Sequence, residues 1–81
     1  MARLTGIIDK GGGAFVQLRD AGGDFVGEVR ADDHGHFTLY AIPGRWRVIC
    51  LTPGGRGEQE VDVGVDDVEI RMAAPSTAVP R

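Results

Sequence analysis

Asp33-His34-Gly35-His36-Phe37-Thr38-Leu39-Tyr40-Ala41-Ile42-Pro43-Gly44-Arg45-Trp46-Arg47-Val48-Ile49-Cys50 reads as turn, strand, turn, strand. The Asp-rich turn Asp32-Asp33-His34-Gly35 closes on a glycine placed to supply a positive φ. Beyond it, Phe37, Leu39 and Ala41 alternate with His36, Thr38 and Tyr40, the two-residue period of a half-buried strand. Pro43-Gly44 is a strong turn dipeptide. Trp46, Val48 and Cys50 then alternate with Arg45, Arg47, Ile49 and Leu51, and Thr52-Pro53-Gly54-Gly55-Arg56-Gly57 stops that run.

The same grammar extends in both directions. Leu4 to Ile8 is a first strand, halted by Asp9-Lys10-Gly11-Gly12-Gly13. Ala14, Val16 and Leu18 share one face of a second strand, with Phe15, Gln17 and Arg19 on the other. After the turn Asp20-Ala21-Gly22-Gly23-Asp24, Phe25 to Ala31 forms a third, with Gly27 marking a bulge. The last two strands run near Gln59 to Val63 and Val68 to Met72, joined by Gly64-Val65-Asp66-Asp67. Seven strands at roughly ten-residue spacing, without a helical period, predict an all-β, seven-stranded antiparallel Greek-key sandwich over residues 1–72. Its expected core is Leu4, Ile8, Val16, Leu18, Val29, Phe37, Leu39, Trp46, Val48, Cys50, Val61, Val68 and Ile70. Residues 73–81 carry two prolines and no periodicity, and read as an extended C-terminal arm that cannot join a central strand.

Eighty-one residues make one domain. A chain this short buries only about 60–65% of its unfolded surface, which leaves little room for a deep polar pocket beside the core. Thirteen glycines suit a chain built from many tight turns. The single cysteine, Cys50, has no internal disulfide partner, and Met1 to Gly6 holds no apolar run. The expectation is a protein made without a secretory signal peptide, placed in a virion or a bacterial cytoplasm. A net charge of −3, with Arg45, Arg47, Arg56 and Arg71 dispersed among acids, argues against nucleic acid as a partner. No stretch reaches the ~18 apolar residues that would argue for a membrane.

Asp33-x-Gly35-x-Phe37-x-Leu39 followed by Pro43-Gly44-x-Trp46-x-Val48 resembles the signature of carboxypeptidase regulatory-like domains, in the transthyretin-like sandwich superfamily. Gly13-Ala14-Phe15-Val16-Gln17-Leu18 is similar to that family's second strand. The likeness runs from about residue 4 to residue 72 and is nearest to small actinobacterial single-domain members. It implies a sandwich whose glycines make turns and whose Phe37 and Trp46 fill the space between sheets. It also implies an accessory role in stability, docking, or carbohydrate or protein contact. The superfamily's hydroxyisourate hydrolases end in Tyr-Arg-Gly-Ser, whereas this chain ends Val79-Pro80-Arg81, so the resemblance implies no hydrolase activity.

Candidate chemistry is sparse. Asp32, Asp33, His34 and His36 are the one run of metal-ligand residue types, but a structural zinc site takes four ligands at clearer spacing, and Asp-Gly turns occur without metal. Gly11-Gly12-Gly13 lacks the Lys-Ser/Thr ending and following helix of a phosphate loop. Cys50 is in phase with Trp46 and Val48 and reads as a core position, and Ser76, the only serine, lies in the arm. The sequence predicts no catalytic residue, no metal and no cofactor.

Apolar residues out of phase carry the remaining signal. With Trp46, Val48 and Cys50 inward, Ile49 and Leu51 point outward, and the pattern places Tyr40 outward on a neighbouring strand, with Phe15 and Phe25 able to join them. This set is either a contact surface or lies beneath the arm or a sheet edge. The contact-surface reading assigns partner binding to Tyr40, Ile49, Leu51, Val79 and Arg81. The leading expectation is therefore a non-enzymatic accessory module docking on a larger protein assembly or on copies of itself. Its most concrete form is a phage capsid or tail decoration protein. The alternatives are a cytoplasmic host scaffold or regulatory protein, a carbohydrate-binding domain using Tyr40 or Trp46, and a metal-dependent enzyme using His34 and His36.

Overall fold

Each alternating run becomes a strand. The computed structural model describes residues 2–73, in which β1 (Ala2–Asp9), β2 (Phe15–Asp20), β3 (Phe25–Arg30), β4 (His36–Ala41), β5 (Gly44–Thr52), β6 (Gly55–Val63) and β7 (Val68–Ala73) follow one another with no helix among them. Residues 74–81, with Val79 and Arg81, lie outside the described residues. The strands form two sheets, β4-β1-β7 and β3-β2-β5-β6. One core cluster spans both: Leu4, Ile8, Phe37, Leu39 and Met72 from the first, Val16, Leu18, Val48, Cys50 and Val61 from the second.

The sequence predicts antiparallel pairing throughout, and one of the five pairings differs: β7 lies parallel to β1, with Leu4 opposite Val68 and Met72 opposite Ile8. The connection over residues 64–67 carries the chain from one sheet to the other. It enters β7 beside the start of β1, so the two strands run the same way. The glycine at position 27 does sit at an irregularity. Leu18 pairs with Gly27 and Arg19 with Phe25, which leaves Val26 as the extra residue of a bulge.

Four expected core positions, Val29, Trp46, Val68 and Ile70, are only partly buried against the cluster. Val29 lies on an edge strand of its sheet, as do Val68 and Ile70 of β7, so solvent reaches them from the side. Trp46 stands at the end of the sandwich, where its indole N–H donates to the Ile42 carbonyl at 2.9 Å. The interior is filled instead by small residues near strand ends, Ala2, Ala14, Ala31 and Ala41, together with Val63 and Met72.

Candidate docking surface

The topology gives the molecule two unlike ends. At one end lie the β1–β2 turn, the β3–β4 turn and the β5–β6 hairpin tip. Here Asp32 organises the backbone. Its Oδ1 accepts the N–H groups of His34 and His36, both at 2.9 Å, and its carbonyl accepts those of Gly13 and Gly35, both at 3.0 Å. The Ile8 N–H donates to the Gly35 carbonyl at 2.8 Å, which ties this turn to β1. The two N–H donors, His36 first and His34 after it, hold the Asp32 carboxyl below its usual value. The carboxylate that sequence reasoning grouped with His34 and His36 as ligand types is thus engaged as a turn cap. Among the described residues no three His, Cys, Asp or Glu side chains gather as a metal-binding group.

The opposite end carries the β2–β3 turn and two of the four sheet-to-sheet crossings, residues 42–43 and 64–67. Pairing fixes their common location. Ala2 pairs with Ala41, Gly44 with Val63 and Asp20 with Trp46, and the Arg3 N–H donates to Asp67 Oδ1 at 2.9 Å. Six large apolar side chains are exposed among the described residues, and five belong to this end: Phe25, Val26, Tyr40, Ile42 and Val65. Val65 is 86% exposed, Tyr40 60% and Ile42 57%. Acidic groups stand among them, at Asp20, Asp24, Asp62, Asp66 and Asp67, against Arg3, Arg19 and Arg45. Arg3 pairs with Asp67 and Arg45 with Asp62. An apolar set bordered by net negative charge is suited to a partner surface that is apolar with a basic rim.

Among the described residues, those expected to bind a partner are not brought together. Tyr40 is exposed, but on β4 of the three-stranded sheet, whereas Ile49 and Leu51 lie on β5 of the other sheet. Ile49 is 2% exposed, although it faces away from the core. Its cross-strand neighbours on that outer face are Gln17 and Glu58. Arg47, two residues away, bridges to Glu58 at 3.6 Å and Glu60 at 3.7 Å. Long polar side chains lay their stems over a β-sheet face and take apolar neighbours out of water. Leu51 is half-buried. The two phenylalanines expected to extend this patch are each overlain by a guanidinium, Phe15 by Arg30 at 5.5 Å and Phe25 by Arg19 at 5.7 Å. On the outer face of the four-stranded sheet Ile49 is therefore sealed among polar side chains and offers almost no exposed surface, while Phe15 remains partly exposed beneath Arg30. Sequence reasoning missed Ile42 and Val65 because it scored apolar residues within strands, and Val26 because, as the extra residue of a bulge, it breaks the two-residue alternation. The available signal was an apolar residue inside a turn segment, before Pro43-Gly44 or within Gly64-Val65-Asp66-Asp67.

A family model described as "Protein of unknown function (DUF1416)" matches residues 2–73. An uncharacterized protein of Mycolicibacterium smegmatis is 38% identical over 65 residues, covering 76% of the chain and 72% of the relative. Two uncharacterized proteins of Mycobacterium tuberculosis are each 36% identical over 64 residues, 75% of the chain. The match spans 64% of the length of each of those two, slightly under two thirds.

Proposed function

The chain belongs to the DUF1416 family, and on that premise we propose that it is a non-enzymatic docking module that binds a larger protein through the apolar end of its sandwich. The observation that carries this reading is the placement of Phe25, Val26, Tyr40, Ile42 and Val65 on loops and strand ends at one pole. A β-sandwich offers a rigid base on which end loops present contact residues. Large apolar side chains concentrated at one pole cost solvation unless a partner covers them. The two-sheet architecture fits the carboxypeptidase regulatory-like assignment and its Greek-key connectivity, which we propose for this family. Relatives in mycobacterial cells favour the cellular scaffold form of the reading over a virion component. Within it the segment over residues 73–81 serves as a further contact.

Photo-crosslinking in cells tests the proposal, with the reactive side chain at position 42 or 65, or at position 10 or 53 of the far end. A single defined protein captured from 42 and 65, absent from 10 and 53, and lost on Ile42→Asp supports docking through this pole. Equal capture from both poles, or capture unchanged by Ile42→Asp, rejects it.

A further inference from the structure

We propose that the free edge of β6 takes up an extended segment of a partner protein whose alternate residues are Lys or Arg. This second contact is independent of the apolar pole. Two sheets leave four edge strands, β3, β6, β4 and β7. Natural edges are kept from pairing by shortness, bulges, lysine or proline. β3 carries the bulge at Val26, and β4 and β7 are six residues long. β6 lacks shortness, a bulge, lysine and proline, and is guarded only by the charges of Arg56, Glu58, Glu60 and Asp62. It is nine residues long without Lys or Pro, and its register with β5 is unbroken from Gly44–Val63 to Thr52–Gly55.

The side chains of this edge select the occupant. Glu58, Glu60 and Asp62 recur at every second position on the outer face. Arg45 reaches Asp62 at 3.0 Å and Arg47 reaches Glu58 and Glu60 from one strand inward, while Arg56, in the same row of β6, lies 3.5 Å from Glu58. The row presented at the edge, three acids and one arginine, is net acidic. A shallow concavity of about 190 Å³ lined by Arg45, Glu60, Val61 and Asp62 lies beside it. The inner row, Gly57, Gln59, Val61 and Val63, has no charge to repel a strand extending the sheet. In strand addition, main-chain hydrogen bonds hold the incoming segment and alternate side chains specify it. Opposite charges directly across strands favour pairing and like charges oppose it. A strand with alternate basic residues satisfies all three carboxylates. A second copy of this chain, paired antiparallel along all nine residues, sets Glu58 against Glu60 at two places and Arg56 against Asp62 at two others, so it gains no such uniform charge match.

The test uses the full chain and a short synthetic peptide of alternating lysine and threonine, read by backbone amide shifts and amide exchange. The expected result is perturbation concentrated on residues 55–63, weakened by salt, and at least about tenfold weaker binding of the matched glutamate–threonine peptide. The Glu58→Lys/Glu60→Lys variant, with its fold checked by circular dichroism, should reverse that preference. Perturbation centred on β3, β4, β7 or the Ile42–Val65 pole overturns the proposal. So does equal or absent binding of the two peptides, or dimerisation of the chain through β6.

Discussion

The ring of Phe37 lies over Gly6, its cross-strand partner on β1, so closely that a Cβ at position 6 would fall 2.3 Å from Cζ and 2.5 Å from Cε2. Gly6 is thus a packing position whose missing side chain makes room for the aromatic that bridges the two sheets.

Gly6→Ala should destabilise the fold by about 1–3 kcal/mol through overpacking. Phe37→Leu removes the clashing ring edge, so the Gly6→Ala/Phe37→Leu double variant should be more stable than the two single losses sum to. Urea denaturation of the four proteins in a double-mutant cycle measures that coupling. Strict additivity would show that the ring does not rest on Gly6.

Two glycines separate backbone strain from steric contact. Gly35 has φ +84° and its added Cβ would meet the Ile8 carbonyl oxygen at 2.2 Å, while Gly23 has φ +91° with nothing within 4 Å. Gly23→Ala should cost about 1–2 kcal/mol, the strain of a left-handed alanine. Gly35→Ala should cost clearly more, because backbone must move as well. Thermal unfolding of both variants in one buffer makes the comparison, and equal losses would contradict it.

Asp32 couples the Gly35 turn to pH. Its carboxyl is held below the ordinary value of 3.8 by the N–H groups of His36 and His34. A group whose folded pKa is depressed contributes stability above its unfolded pKa and loses it as pH falls through the folded one. The contribution should therefore be complete above about pH 5 and decline progressively below pH 4. Asp32→Ala should flatten the acid limb of the stability profile while leaving the response to pH above 6 in place. An unchanged acid limb in this variant would mean that other carboxylates set it.

Ile49 distinguishes a buried residue from a contact residue. Ile49→Ala should cost about 2–4 kcal/mol despite its position on the outer face of the sheet. Ile42→Asp and Val65→Asp, which replace exposed apolar groups, should each change stability by less than about 0.5 kcal/mol. Chemical denaturation ranks the three. A harmless Ile49→Ala would return that face to the list of docking candidates.

Much of this architecture is local and therefore written in the chain. A period of two, interrupted by Gly, Pro and Asp turns, locates seven strands; the alternation of Phe37, Leu39 and Ala41 or of Val48 and Cys50 states which side chains face the core. The positive φ of Gly35 follows from the same local chemistry. Which strands share a sheet is not local. It depends on where each connection crosses between layers, and periodicity is blind to that. Tyr40 therefore stands on a different sheet from Leu51 rather than beside it. Alternation also marks a residue as outward without measuring the length of its neighbours, and Arg47, Glu58 and Gln17 seal Ile49 from water on a nominally exposed face. Tertiary connectivity alone brings the β2–β3 turn and the β4–β5 and β6–β7 crossings to one pole. There Ile42 and Val65, separated by more than twenty positions in the chain, come to lie at the same end of the sandwich.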